Sequence, residues 1–222
     1  MEEYDLSYER GFLPKVNPSR SFLQSYKQKD VFDACERLLD DSKKISDLLL
    51  TGEIRNFIDK QDISTYSATT ELSYERDIKL AAMLLSFLAH AYIWGGNKPA
   101  TKLPVSISFP WVTLHQSKLG RPPIQSYASY ALDNWYKLDI DKEICLENIS
   151  TIQQFLGGQD EKWFVTIHVV IEGQAGKALA SMYNAIEAKA ENDWEAVNKH
   201  LYLVAQGLKD MYNTLCRMEE KC

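Results

Sequence analysis

The amino-acid sequence predicts a mostly α-helical fold, on three observations. Apolar residues recur at the three- and four-residue spacing of one helix face over several long segments. Glycine directly follows three of these segments, at Gly52, Gly95 and Gly120, and marks where those helices end. Only one short stretch, near the middle of the chain, alternates apolar and polar residues as a half-buried strand does. A change of pattern over residues 97–120 predicts a domain boundary there.

The first half of the chain contains several segments of different character. Residues 1–30 are predicted to be irregular, with a short strand or an extended arm as alternatives. Helical spacing runs from Asp30 to Thr51 and stops at Gly52. A short helix is predicted over Ile54–Ile58. The polar stretch Ile63–Thr70 is interpreted as a loop or as the lead-in to the next helix.

The most apolar predicted helix starts at about Tyr74 and ends at Gly95-Gly96. It is apolar nearly all round after Leu80, which predicts a buried position. Its apolar stretch is shorter than the roughly 20 residues that cross a bilayer, so no membrane contact is expected. Residues 97–110 are interpreted as a connector with one short extended piece at Val105, Ile107 and Phe109.

The second half of the chain is predicted to be mainly helical. Four helices are expected, at Val112–Leu119, Ile124–Tyr136, Lys162–Ala190 and from Trp194 onward. Pro122-Pro123 would open the second of these, because proline is tolerated in a first turn. Residues 138–148 are predicted to form a charged loop, while the pattern over Ile152–Phe155 is ambiguous.

Composition excludes some classes of function. The net charge is −6, with 25 scattered basic residues against 31 acidic ones, which argues against nucleic-acid binding. The four cysteines show no metal-site or disulfide spacing and are expected to be reduced thiols. Met1–Asp5 is acidic and has no apolar core, so no signal peptide is expected. These observations together predict a cytoplasmic protein.

The segment Trp163–Glu172 carries one histidine in an almost wholly apolar helix. Helical spacing places Phe164, His168, Ile171 and Ala175 along one stripe. Desolvation there would favour a neutral imidazole, which suits a base or a hydrogen-bond acceptor. The alternatives are a satisfied core histidine or, with Glu172, part of a metal site.

Small residues follow this histidine. Gly173, Ala175 and Gly176 make the helix thin, so a flat cofactor or another backbone could approach closely. A second informative segment is Pro122–Trp135. Its Tyr127, Tyr130 and Asn134 would share one helix face, either as an aromatic core stripe or as a ligand pocket.

Both segments resemble the indoleamine 2,3-dioxygenase family. The stretch Pro-Pro-Ile-x-x-Tyr-Ala-x-x-x-Leu-x-Asn-Trp at Pro122–Trp135 is similar to the start of that family's large domain. Phe164–Glu172 resembles its distal haem-pocket helix. Further similar stretches follow the family's order: Asp5–Pro14, Ala91–Gly95 and Leu103–Pro110.

The resemblance implies a small helical domain over residues 1–110 and the first part of a large all-helical haem-binding domain over 111–222. It implies haem b as cofactor, and insertion of both atoms of O2 across the indole C2–C3 bond of tryptophan or a related indole. His168 would be the catalytic residue. The resemblance assigns substrate contacts to Tyr127, Tyr130, Ala131 and Phe164, and cofactor contacts to Ser129, Val165, Ile171 and Ala175.

His168 lies where animal members of the family have serine, and is closer to the tryptophan 2,3-dioxygenase arrangement. Histidine accepts an indole N–H better than serine does, which favours substrates with a free N–H. The family's proximal haem ligand is expected beyond residue 222. His200 does not match it and is expected to face solvent, whereas His90 and His115 are expected to be structural.

Several alternatives stay open at this point. The chain could be a fragment completed by a carboxy-terminal half, a split enzyme, or a relative that has lost haem. It could instead be a non-enzymatic relative that binds an indole-like ligand or a protein partner, or a haem enzyme acting on a modified tryptophan in secondary metabolism. A homo-oligomer is a further alternative, because a truncated helical domain exposes apolar surface.

Overall fold

The computed structural model describes residues 6–24 and 26–222, and it is mostly helical, as predicted. The acidic start Met1–Asp5 lies outside the described residues, and with it Asp5, the first residue of the stretch Asp5–Pro14 that resembles the family. The chain forms two compact units. The predicted division at residue 110 stays a prediction.

The central unit comprises Pro18–Tyr136 and Thr151–Gly158. Its helices are α1 (Lys29–Ser42), α2 (Ile45–Leu50), α3 (Ile54–Asp59), α4 (Ser64–Ser67), α5 (Glu75–Trp94) and α6 (Val105–Val112). A 3-10 turn at Ala68–Glu71 and π-helical turns at Thr113–Lys118 and Ala128–Leu132 complete it. The predicted lead-in over residues 63–70 is therefore helical.

Helix α5 is the centre of this unit's core. It buries Leu84, Leu85, Phe87 and Leu88 completely or nearly so, because its sequence is apolar on almost every face. By length and composition alone it could cross a membrane, but 72% of its most apolar window is buried inside the protein. The predicted burial is confirmed, and the helix packs against α1, α3 and α6.

The helical segment predicted over Asp30–Thr51 divides into α1 and α2. The break lies beside Asp41, a fully buried carboxylate. Lys44 donates to one of its oxygens at 2.8 Å, and the Tyr66 hydroxyl donates to the other at 2.9 Å. Buried charge requires such partners. The break between α1 and α2 therefore lies beside a polar network around Asp41, which helical spacing in the sequence does not reveal.

The predicted connector over 97–110 is wrong at its end, because α6 begins directly after Pro104. Ile107, Trp111 and Leu114 are buried and follow helical spacing, whereas Val105 and Phe109 are exposed. The alternation of apolar residues at 105, 107 and 109 predicted an extended segment, but the segment is helical. Only one of those three residues contributes to the core.

The helix predicted over Ile124–Tyr136 is also wrong. Only Ala128–Leu132 is helical, and Trp135–Lys137 forms strand β1, which pairs with β2 at Ile149–Thr151. The Asn134 side chain accepts from Gln153 N–H at 2.7 Å and donates to the Gln153 carbonyl at 2.9 Å. This bridge holds the backbone extended, so the helix cannot continue.

The second unit, called here the hairpin unit, comprises the described part of Met1–Asn17 with Lys137–Ser150 and Gln159–Cys222. It contains α7 (Gln159–Ala190) and α8 (Trp194–Cys216), both close to the predicted bounds. Asn192, at a positive φ of 62°, forms the turn between them. Asp193 then caps α8 by accepting from the Ala196 N–H at 2.9 Å.

Residues 6–17 form an arm that lies on α7. Ser7 and Gly11 exchange backbone hydrogen bonds, and the Phe12 N–H donates to the Glu172 carbonyl at 3.2 Å. A Cβ at Gly176 would lie 2.8 Å from the Gly11 nitrogen, so only glycine fits there. The thin stretch of α7 accommodates another backbone, which is one of the two alternatives that the sequence left open.

Candidate functional site

His168 and Phe164 lie one helical turn apart on a partly exposed stripe of α7. The intervening Val165 and Ile167 are buried, which fixes the direction of the stripe. The two rings pack with centroids 4.4 Å apart and planes tilted by 42°. Phe164 retains 43% of its surface exposed. This pair offers an aromatic ring and an imidazole on the same side of one rigid helix.

The orientation of the imidazole is set by the helix itself. His168 Nδ1 lies 2.7 Å from the carbonyl oxygen of Phe164, and a carbonyl can only accept. Nδ1 therefore carries the proton in this geometry, and Nε2 of the neutral ring is the acceptor. An acceptor nitrogen beside an aromatic ring can receive the N–H of a flat heterocycle. The predicted chemistry of His168 is compatible with this tautomer.

The predicted cofactor residues on α7 differ in exposure. Ile171 is partly exposed, in register with Phe164 and His168. Val165 and Ala175 are buried, at 1% and 3% exposure. The cofactor contacts of all three stay predictions.

The other predicted site residues belong to the central unit and surround the π-helical turn Ala128–Leu132. Tyr127 is exposed, whereas Ser129 and Ala131 are buried. The Tyr130 ring is half-buried and stacks on Phe87, with centroids 5.9 Å apart. Its backbone carbonyl accepts from the Asn134 side chain at 3.0 Å. The aromatic core stripe is thus formed by Tyr130, while Tyr127 presents its ring outward.

These two groups of predicted residues lie in different units. Phe164, Val165, His168, Ile171 and Ala175 lie in the hairpin unit, and Tyr127, Ser129, Tyr130 and Ala131 in the central unit. Each unit gathers its own group on one short element. That both groups contact the same ligand stays a prediction.

Gln125 is a candidate that sequence reasoning missed. Both polar atoms of its side-chain amide are sealed from solvent, and neither has a hydrogen-bond partner. Leaving such a group unsatisfied costs about 1–3 kcal/mol, so it calls for an explanation. Gln125 lies two residues before Tyr127, within the segment that resembles the family. No spacing rule marks it, because a glutamine in a polar stretch usually faces solvent.

Two other histidines are held by internal contacts in the central unit. His115 is fully buried, and its Nδ1 lies 3.0 Å from the Trp111 carbonyl. His90 Nδ1 lies 3.1 Å from the Ser86 carbonyl. Desolvation lowers the pKa of both rings below the usual value for histidine. Both therefore stay neutral and bonded within the core, consistent with structural roles.

The expectation for His200 is wrong in part. Its ring is partly buried on α8, and Nδ1 is sealed from solvent without a hydrogen-bond partner. Among residues 6–24 and 26–222, no group of three or more histidine, cysteine or acidic side chains could hold a metal ion. A shared metal at His168 and Glu172 therefore has no third ligand within this part of the chain.

Comparison with known proteins identifies the family. The family model for indoleamine 2,3-dioxygenase matches residues 1–222. The chain is 31% identical to indoleamine 2,3-dioxygenase of Aspergillus nanangensis, over 100% of this chain and 52% of that protein. It is 30% identical to the Saccharomyces cerevisiae indoleamine 2,3-dioxygenase, over 100% of this chain and 49% of that protein.

A human relative shows the same coverage. Indoleamine 2,3-dioxygenase 2 of Homo sapiens is 27% identical, over 99% of this chain and 51% of that protein. The chain thus spans about half the length of the curated relatives it matches. The family match nevertheless covers every residue of the chain, including the α7 stripe and the segment before β1. On this evidence the chain belongs to the indoleamine 2,3-dioxygenase family.

Proposed function

We propose that this chain forms the substrate-facing part of a haem dioxygenase that opens the indole C2–C3 bond. The substrate would be tryptophan or a related indole, the second substrate O2, and the product of the N-formylkynurenine type. Proteins of this family act on tryptophan-like indoles with O2 and are haem enzymes in general. Activity would require a further segment, because the chain covers about half of its relatives.

The observation that carries the proposal is the 2.7 Å contact between His168 Nδ1 and the Phe164 carbonyl. It makes Nε2 the acceptor, and helix α7 holds that nitrogen in a fixed position. An indole N–H donating to Nε2 would be oriented by a single directional bond. Phe164, whose ring packs on the imidazole, would limit the tilt of the indole plane.

The residues of α7 fit one face of a flat apolar cofactor. Phe164, His168 and Ile171 all retain exposed surface on the same stripe, and two of them are apolar. When bound, haem would supply the activation of O2, which no side chain of this protein can provide. His90 and His115 are engaged inside the central unit, and His200 does not match the proximal ligand that the resemblance implies, so we place that ligand outside residues 1–222.

His168 would hold the indole N–H and, as the N–H becomes more acidic, would share its proton at Nε2. Tyr127 is proposed to contribute a substrate contact from the central unit. We also propose a cytoplasmic location, in keeping with four free cysteines.

The test uses a chimaeric protein. Residues 1–222 are joined to the part of the Aspergillus nanangensis relative that this chain does not cover. Reconstitution with haem is expected to shift the Soret band from that of free haem. Turnover of L-tryptophan is expected to produce absorbance at the N-formylkynurenine maximum. No haem uptake would overturn the proposal in favour of a non-enzymatic ligand-binding relative.

The matched variant is His168→Ala in the same chimaera. Haem binding should change little, because the imidazole is assigned to the substrate side, while turnover should fall. Equal loss of haem binding and turnover would instead make His168 a structural residue, and the assigned role would be wrong.

A further inference from the structure

The π-helical turn Ala128–Leu132, called here the 128–132 turn, carries two of the predicted substrate residues. Tyr130 and Ala131 lie within it, and Tyr127 lies directly before it. Turns of this kind are rare overall and occur frequently at functional sites. Five residues form little more than one turn, and so short a helix is not stable on its own in water. Residues outside the turn must therefore fix its conformation.

Side chains that follow the 128–132 turn hold its end in place. The Asn134 amide donates to the Tyr130 carbonyl at 3.0 Å. The Trp135 indole N–H donates to the Leu132 carbonyl, also at 3.0 Å. The last carbonyls of a helix have no partner within it, so these two contacts satisfy groups that a further turn would otherwise bond. Asn134 and Trp135 are both fully buried.

Asn134 also joins the 128–132 turn to the rest of the central unit. Its Oδ1 accepts from the Gln153 N–H at 2.7 Å, and its Nδ2 donates to the Gln153 carbonyl at 2.9 Å. The Gln153 side chain donates in turn to the Ser42 carbonyl, at the end of α1, at 3.1 Å. Both N–H groups of the Asn134 amide and its oxygen are thus bonded within the protein. One buried amide links the turn to α1 through Gln153.

We propose that Asn134 is a positioning residue for the substrate, because its amide sets the conformation of the 128–132 turn and thereby the position of Tyr127. The proposal rests on the proposed function, in which Tyr127 contacts the indole. Asn134 is buried and would act without touching substrate or haem, whereas Tyr127 is 44% exposed. Small misplacements of residues that orient a substrate have large effects on turnover, so loosening of the turn should be measurable.

Asn148 makes a matching set of contacts and provides the control. Its Oδ1 accepts from the Asp139 N–H at 2.9 Å, and its Nδ2 donates to the carbonyls of Asp139 and Glu143 at 3.0 and 2.8 Å. It is buried and belongs to the hairpin unit, where it holds the loop between β1 and β2. No predicted site residue lies in that loop. Asn148→Ala therefore removes the same number of buried hydrogen bonds as Asn134→Ala, but none from the 128–132 turn.

The first experiment compares the two variants kinetically, in the haem-loaded chimaera with L-tryptophan. Both should lower the melting temperature by similar amounts, because each leaves buried backbone groups without partners. Asn134→Ala should raise KM at least about fivefold and leave kcat within about twofold, as the loss of a contact that binds the substrate does. Asn148→Ala should change neither constant. A purely structural role of Asn134 would change only the melting temperature.

The second experiment tests whether Asn134 acts through Tyr127. Asn134→Ala is combined with Tyr127→Ala in the same chimaera. The factor by which Asn134→Ala raises KM should be smaller in the Tyr127→Ala background, since residues that act through one contact are not additive. The same factor in both backgrounds would overturn the proposal.

Hydrogen exchange measures whether the turn itself is loosened. The backbone N–H groups of Tyr130 and Asp133 donate to carbonyls earlier in the same segment. In Asn134→Ala, peptides over residues 128–134 should exchange at least about tenfold faster, while the other helices of the central unit stay unchanged. In Asn148→Ala the faster exchange should instead occur in the loop between β1 and β2.

Asn134→Asp is a second variant that keeps part of the contacts. Its carboxylate still accepts from the Gln153 N–H but has no hydrogen to donate to the Tyr130 carbonyl. It should therefore also raise KM, and it tests the proposal if Asn134→Ala does not fold.

The outcomes distinguish this inference from the proposed function. No turnover by the unmodified chimaera would overturn the proposed function, and this inference with it. An unchanged KM in Asn134→Ala, or equal increases of KM in Asn134→Ala and Asn148→Ala, would overturn this inference alone. Failure of both Asn134 variants to fold, while Asn148→Ala folds, would also overturn it and would make Asn134 a residue of stability only.

Discussion

The Nδ1 atom of His168 lies 2.7 Å from the carbonyl oxygen of Phe164, one turn earlier on α7. The contact assigns the proton to Nδ1, because the carbonyl of the helix backbone can only accept. A side chain oriented by its own helix needs no support from a loop. In this tautomer Nε2 is an acceptor, which is the role that the proposed function gives it toward an indole N–H.

This arrangement predicts discrimination against N-methylated indoles. In the chimaera described above, L-tryptophan should be preferred over 1-methyltryptophan by at least about tenfold in kcat/KM, or roughly 1.4 kcal/mol. His168→Ala should reduce that preference, because the acceptor is lost. The measurement is the ratio of the two kcat/KM values. An unchanged ratio in the variant would show that Nε2 does not receive the indole proton.

The arm on α7 predicts a steric requirement at Gly176. Gly176→Ala should destabilise the protein by about 1–3 kcal/mol, because the new methyl group meets backbone atoms of residues 7–11 that cannot rotate away. Gly173→Ala is the control, since its Cβ would meet only the flexible Leu13 side chain at 3.1 Å. There the gain in helix propensity, up to about 1 kcal/mol, should offset the contact. Urea unfolding distinguishes the two, and equal effects would contradict the packing.

Two buried serines predict opposite outcomes for the same substitution. Ser86 accepts from the Trp111 indole N–H at 2.8 Å, so Ser86→Ala leaves a buried donor unsatisfied and should cost about 1–3 kcal/mol. The Ser106 hydroxyl is buried without any partner, so Ser106→Ala should be neutral or stabilising. Thermal and urea unfolding of both variants give the comparison. A larger loss at Ser106 would be inconsistent with these contacts.

Asp133 predicts a pH dependence with an unusual sign. Burial raises the pKa of its carboxyl above the ordinary 3.8, although Arg121 lies 3.1 Å away and lowers it. The folded protein thus holds this proton more tightly than the unfolded chain does. The contribution of Asp133 to the free energy of unfolding therefore decreases as pH rises from 3.8 through its raised pKa. The unfolding free energy of Asp133→Asn, relative to the unmodified protein, should increase across that window.

The control is Asp40→Asn, which has the opposite sign. A hydrogen bond from Lys43 holds the pKa of Asp40 below its ordinary value. Its contribution is present above 3.8 and is lost as pH falls through the lowered pKa. The relative stability of this variant should therefore increase as pH falls. The same trend in both variants would contradict the burial of Asp133.

Periodicity alone predicted the long helices. α5, α7 and α8 each have apolar faces that their burial confirms, and α5 also has a clear end signal at Gly95-Gly96. The errors lie where distant residues decide the local structure. Asn134 is bonded to Gln153, and β1 pairs with β2, so the segment before them cannot extend as a helix. Neither partner is visible in the local pattern of residues 124–136.

The sequence predicted those parts of the candidate site that depend on helical spacing, but not those that depend on tertiary packing. The stripe of Phe164 and His168 follows from helical spacing, and the structure adds the tautomer that spacing cannot give. Gln125 escaped notice because burial of a loop amide depends on tertiary packing. The thin stretch near Gly176 was recognised, but the sequence could not decide between a cofactor and a backbone as its neighbour. Only the contact with Gly11 answers that question.

The arm and α7 lie far apart along the chain. Residues 6–17 precede the central unit, yet the glycines against which they pack belong to a helix that follows it. The side chain of Leu13, which is fully buried in the folded protein, therefore stays exposed to solvent while the central unit is synthesised. Closing so long a loop costs conformational entropy, and contacts between distant residues form slowly. We therefore expect the arm to dock on α7 late in folding.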